Sequence, residues 1–208
     1  AKFPLYIWGT LLLLYTGARP GEVSQLRAED VQQTPDGMWY VQFAEDDDSD
    51  DGNGNGKTLK TESSIRAVPL HPTLIELGFL NFAGRIKAGA WLFPEAHRHN
   101  KKVSKEIGDW ANNKLLVTAG LKAPGVVLYS LRHTVIKRFK QDARLDHLAC
   151  AYTGHSTASD RTMSNREFVQ TYGKNFSPDE LAQALHPLLA FEINWSEMQK
   201  ILASKKWN

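Results

Sequence analysis

Residues Thr16 to Leu26 read TGARPGEVSQL, and they follow an apolar run, LYIWGTLLLLY, from Leu5 to Tyr15. The run is long, apolar and free of charge, which predicts a buried helix. Thr16-Gly17 closes it, glycine being the usual residue just beyond a helix C-terminus. Pro20 fits the first turn of a new helix, and Glu22 stands where a helix N-terminus favours an acid. Val23, Leu26 and Val31 give that second helix an apolar face. Arg19 is left at the seam. A cation at the front of a helix opposes the macrodipole, so Arg19 adds nothing to helix stability. Two readings stand open on this stretch alone: a surface arginine in a turn, or a guanidinium held at a rigid corner to grip an anion.

The bulk composition narrows the classes. The chain has 208 residues, 42% hydrophobic and 23% charged, enough for one good core with a small appendage and unlike a disordered chain. A single cysteine, Cys150, excludes an internal disulfide framework and suits a reducing compartment. The longest apolar run is shorter than the roughly 20 residues that span a bilayer. No basic segment precedes it, so neither a signal peptide nor a membrane anchor is expected, and the expected location is cytoplasmic. The chain opens inside a helical pattern without an initiator methionine, the expectation for an excised domain of something longer.

Charge is unevenly spread. Glu45, Asp46, Asp47, Asp48, Asp50 and Asp51 are six acids in one short segment; setting those six aside turns the net charge of +2 into +8. Arg98, Lys101, Lys102 and Lys105 form one basic cluster, and Arg132, Lys137, Arg138 and Lys140 another. Such a body fits a polyanionic partner or a solvated basic face, and charge does not separate the two.

The periodicity predicts an α+β chain, mainly helical with one small antiparallel sheet. Residues 5–31 read as two helices. MWYVQF (Met38 to Phe43) reads as a strand after the turn TPDG, and TLKTESSIRAVPL as a second strand ending at Pro69. The acidic EDDDSDDGNGNGK between them is a flexible loop by composition. It resembles a calcium loop, but Asp47, Ser49, Asp51 and Gly52 put Thr58 where a bidentate Glu is needed. Helices are expected around Leu74 to Lys87, Lys102 to Ala119, Tyr129 to Lys140 and Asp146 to Tyr152, the last closed at Gly154. Others are expected from Pro178, with Leu181, Leu185 and Leu188, and over Trp195 to Leu202. His97 and His99 form an H-x-H pair, and His71 and His147 stand alone. No third ligand has metal spacing, so no metal site is expected.

Further motifs then line up with TGARPGE: KTESSIRAVPLHP, which contains Lys60, YSLRH with Tyr129 and Arg132, GHS with His155, and TYGK with Tyr172. Each is weak alone. Together and in this order they resemble the catalytic domain of the tyrosine recombinases, the phage-integrase family, over residues 5 to 190. TYGKNFSPDELAQAL resembles its prophage-integrase branch, a class of mobile elements. The family shows an arginine in T-G-x-R-x-x-E, a lysine in a β-hairpin, H-x-x-R, a G-H pair and a C-terminal tyrosine.

The resemblance implies a tyrosine recombinase catalytic-domain fold over 1–190. It also implies a tail helix over 191–208, exchanged between protomers or docked on its own body, and a missing N-terminal DNA-binding domain. It implies site-specific cleavage and rejoining of double-stranded DNA without ATP, metal or other cofactor, by a monomer that assembles as a tetramer on DNA in a bacterial cell. Tyr172 would be the nucleophile, forming a 3′-phosphotyrosine that conserves the phosphodiester energy. Arg19 and Arg132 would clamp the non-bridging oxygens, a bidentate task suited to arginine. Lys60 would be the general acid at the leaving 5′-oxygen. His155 would bind the phosphate or move the tyrosine proton, and Glu22 would buttress Arg19.

The chain departs from the pattern at Tyr129, which replaces the first histidine of H-x-x-R. A phenol still donates one hydrogen bond but is no acid–base near neutral pH. His133 is a decoy, expected to pack or cap nearby. The long stretch from His155 to Tyr172 implies a movable tyrosine segment. Tyr152 is expected to be a core aromatic. The alternatives are a type IB topoisomerase-like enzyme and a catalytically silent DNA-binding module of the same fold. The acidic loop is expected to be a spacer between strands, with self-masking of the basic face as the other reading.

Overall fold

A computed structural model describes residues 4–45, 57, 65–98, 102–155 and 176–204. It is mostly helical with one three-stranded antiparallel sheet. Contacts divide the chain into two compact units: residues 1–29, 71–135 and 190–208, and residues 30–70 and 136–189.

In the first unit the apolar run folds as expected. A π-helical turn, Leu5–Gly9, leads into α1 (Thr10–Thr16). Leu5, Trp8, Leu12, Leu13 and Tyr15 are all buried; each large apolar side chain removed from water contributes about 1.5–3 kcal/mol. Glu95 caps the run, its Oε1 accepting from the Leu5 N–H at 2.7 Å. Gly9 allows a close approach: a Cβ there would lie 3.0 Å from Ile107 Cδ1. Gly17 ends α1 in the left-handed region (φ 59°) and α2 (Pro20–Ser24) begins at once. The expected second helix is shorter than its apolar pattern. After Ser24 the chain turns through a 3-10 segment, Ala28–Asp30, and Val31 enters a strand instead of a helix face.

The helix expected over Leu74 to Lys87 is also corrected. It is two short helices, α3 (Pro72–Glu76) and α4 (Phe79–Ala83), parted by Gly78 at φ +93°. L-residues rarely adopt that conformation, so glycine sets the break. Trp8 packs on Phe79 and Phe82 of α4, with ring centroids 5.6 and 5.8 Å away. α5 (Lys105–Trp110), a π-turn (Ala111–Leu115) and α6 (Leu116–Thr118) make the expected Lys102–Ala119 helix. α7 (Ser130–Phe139) follows; Val135 ends the second stretch of the first unit and Ile136 opens the second stretch of the other.

In the second unit β1 (Val31–Gln33), β2 (Trp39–Phe43) and β3 (Arg66–Pro69) lie in that order. Val41 pairs with both Val31 and Val68, and Phe43 with Arg66. Thr34 to Gly37 makes the expected turn, with the Gly37 N–H on the Thr34 carbonyl at 2.9 Å. α8 (Asp146–Thr153) and α9 (Pro178–Leu185) pack on β3. Arg66 is buried here: its Nε donates to the Tyr152 carbonyl at 3.0 Å and its guanidinium lies 4.4 Å from the Phe43 ring centre. Ser177 and Glu180 exchange cap bonds at the start of α9, as its Ser-Pro-Asp-Glu sequence dictates.

The C-terminal segment returns to the first unit. α10 (Trp195–Ala203) is anchored through Phe191 and Trp195, whose rings lie 5.5 and 5.9 Å from that of Tyr15. Gln199 Nε2 donates to the Glu76 carbonyl at 3.0 Å. α10 thus packs against α1 and α3 within the first unit. Among the described residues no helix is long and apolar enough to cross a membrane.

Candidate active site

The corner between α1 and α2 is bonded at every step. Thr16 Oγ1 donates to the Leu12 carbonyl at 2.6 Å and accepts from the Ala18 N–H at 3.1 Å. Gly17 N–H returns to the Leu13 carbonyl at 3.1 Å. Arg19 takes the N-cap position in extended conformation (φ −76°, ψ 146°). Its backbone N–H donates to Glu22 Oε2 at 2.7 Å, and its Nη1 donates to Glu22 Oε1 at 2.7 Å. One carboxylate thus holds both the backbone and the guanidinium of the same residue. Glu22 is 6% exposed, and a buried carboxylate needs such a charged partner. The macrodipole argument against Arg19 is met locally: the acid three residues on neutralises the cation and satisfies an orphan N–H.

Arg132 reaches the same corner from α7. It is 3% exposed, and its Nη1 donates to the Gly17 carbonyl at 2.6 Å. Two features set the start of α7. Asn112 Oδ1 accepts from the Leu128 N–H at 2.8 Å, and Ser130 Oγ accepts from the Val127 N–H at 3.2 Å. Val135 is buried on the same helix. The structure thus brings Arg132 to the turn that carries Arg19, across 115 residues of sequence. A guanidinium offers five N–H donors in a rigid fork, so fixing one nitrogen sets the plane of the others.

Of the other candidate residues, Tyr129 and His155 are described. Tyr129 immediately precedes α7, 38% exposed, its ring edge-on to that of His133 with centroids 5.2 Å apart. His155 is half-buried in the second unit, just beyond Gly154, the left-handed residue (φ 62°) that ends α8. Lys60 and Tyr172 lie outside the described residues, as do Asp46 to Asp48, Asp50 and Asp51.

Two rejected candidates have defined structural roles. Tyr152 is fully buried, its ring edge-on to Phe139 at 5.2 Å. Burial drives its phenol far above the ordinary tyrosine range, so it is a poor nucleophile. His97 stacks on Trp91 at 4.1 Å and donates from Nε2 to the Ser24 carbonyl at 3.1 Å. Burial pushes its imidazole below the usual value. Among the described residues no cluster of three His, Cys, Asp or Glu side chains could hold a metal ion.

Sequence reasoning missed two features, one in each unit. The Gly17 carbonyl carries no sequence signal of its own. Lys57 pairs with Asp30, Nζ to Oδ1 at 2.7 Å, with side chains 9% and 7% exposed. Its signal was a lone lysine closing the acidic, glycine-rich run. The chain matches no protein-family model, no curated protein and no solved structure.

Proposed function

We propose that the chain is the catalytic part of a DNA strand-cleaving and rejoining enzyme, a site-specific recombinase of the tyrosine type. One observation carries the reading most strongly: Arg132 is anchored on the carbonyl of Gly17, two residues from Arg19, while Glu22 fixes the Arg19 guanidinium. Two oriented guanidiniums at a rigid turn suit a phosphodiester whose charge rises in the transition state. The order of the five sequence motifs supports the rest.

In the proposed reaction the Tyr172 oxygen attacks the scissile phosphorus and its phenolic proton passes to His155. The phosphorus–O5′ bond breaks as the new phosphorus–tyrosine bond forms. The leaving 5′-oxygen takes a proton from the Lys60 ammonium, which becomes an amine. The charge on the phosphoryl oxygens is borne by Arg19 and Arg132, with Tyr129 offering a further hydrogen bond. Reversal by a 5′-hydroxyl from another strand reseals the DNA without an outside energy source.

The test is Arg19→Lys, which keeps the charge and loses the planar fork. With a pool of nicked duplexes that lose a short fragment on cleavage, the rate of covalent adduct formation falls about 100-fold. Duplex binding at low salt stays near wild type. An Arg19→Lys protein that reacts at the wild-type rate contradicts the clamp.

A further inference from the structure

Asn112 belongs to none of the motifs that point to the site, yet its side chain holds the start of the helix that carries Arg132. It lies in the π-turn Ala111–Leu115, beside Ala111, which is 1% exposed. One turn earlier Ile107 is fully buried and approaches Gly9 at the head of α1. The base of Asn112 is therefore tied to the core of the first unit. π-turns are rare and concentrate at functional sites.

The connection from α6 to α7 gives Arg132 little support of its own. Residues 119–127 are exposed, apart from the half-buried Val126. The Val126 N–H returns to the Ala123 carbonyl at 3.1 Å, a local turn that reaches no other element. Leu128 is the first buried residue, and its N–H donates to Asn112 Oδ1 at 2.8 Å, across 16 residues of sequence. The Leu128 carbonyl then accepts from the Leu131 N–H at 3.1 Å, and the Tyr129 carbonyl accepts from the Arg132 N–H at 3.1 Å. Asn112 thus grips the peptide on which the first turn of α7 is built. That turn delivers the Arg132 guanidinium to the Gly17 carbonyl at 2.6 Å. A displacement of about 1 Å in such a group is enough to cost about 100-fold in rate.

We propose that Asn112 is a positioning residue for the Arg132 guanidinium: it holds the Leu128 peptide and so sets where the first turn of α7 delivers that arginine. This rests on the recombinase reading above. Asn112 acts only through Arg132, so its loss has nothing left to disturb once Arg132 is gone.

The experiment measures adduct formation on the nicked-duplex pool for wild type, Asn112→Ala, Asn112→Asp, Arg132→Ala and the double variant Asn112→Ala/Arg132→Ala. Alanine removes the acceptor and keeps a good helix former. Aspartate keeps an oxygen where Oδ1 stands, so it is the rescue variant. Asn112→Ala is expected to react about 10- to 100-fold more slowly than wild type, and Asn112→Asp to restore the rate. The double variant is expected to be no slower than Arg132→Ala, the non-additivity of residues that act as one unit. NMR reads the position without any reaction. The Arg132 guanidinium is expected to give separate Nη proton signals in wild type and Asn112→Asp, and averaged signals in Asn112→Ala. If Asn112→Ala reacts at the wild-type rate, or slows the Arg132→Ala protein as much as it slows wild type, the positioning role is overturned. If Arg132→Ala loses adduct and Asn112→Ala does not, only this inference falls. If wild type forms no adduct, the recombinase reading falls and takes this inference with it.

Discussion

Gly17 holds two jobs in one residue. Its left-handed backbone ends α1, and its carbonyl takes the Arg132 guanidinium. Gly17→Ala forces a Cβ into a conformation that costs an L-residue about 1–2 kcal/mol. Urea unfolding is expected to show that loss, with a further fall in adduct formation because the carbonyl that seats Arg132 shifts. A second residue-scale expectation concerns His97. Burial lowers its imidazole value in the fold, so the unfolded chain binds more protons as pH falls through about 6.5. Stability therefore rises with pH across that range and is lost on acidification. His97→Phe keeps the stack on Trp91 and is expected to flatten this part of the pH–stability curve. An imidazole that titrates at or above the ordinary value by NMR contradicts it.

Among the elements, the sequence was read best where glycine and proline punctuate it. α1, the Thr34–Gly37 turn, the end of β3 at Pro69, α8 and α9 all stand where those residues put them. The reading failed where punctuation was absent or ambiguous. LRAEDVQQ has neither alternation nor a breaker, so its pattern predicts the end of a helix where the structure has β1, three residues paired with β2. Gly78 was tolerated inside a helical pattern although its backbone splits α3 from α4. The docking of α10 depended on Tyr15, which periodicity marked as core without naming its partners. Phe191→Ala removes one edge-to-face ring contact, worth about 0.5–1.5 kcal/mol. Hydrogen exchange over Trp195 to Ala203 is expected to quicken accordingly while α1 stays protected.

For the molecule as a whole, the motif order that resembles the recombinase pattern singles out Arg19, Lys60, Arg132, His155 and Tyr172; of these the structure brings Arg19 and Arg132 to one corner, while Lys60 and Tyr172 lie outside the described residues. The bond that brings Arg132 to the α1–α2 corner spans 115 residues, and no local pattern encodes a contact of that range. Glu22 was expected to support Arg19, and the geometry gives that support two specific bonds. The buried Lys57–Asp30 pair joins residues 27 apart in sequence, a contact that no local pattern encodes. Tyr152 shows the converse: a tyrosine close to the G-H-S motif in sequence is sealed in the second unit's core.

The most direct measurement is covalent trapping on the nicked-duplex pool, read as an SDS-stable protein–DNA band. Wild type is expected to give the band, Tyr152→Phe to keep it, and Tyr172→Phe to abolish it. A band that survives Tyr172→Phe, or its absence from wild type, contradicts the account.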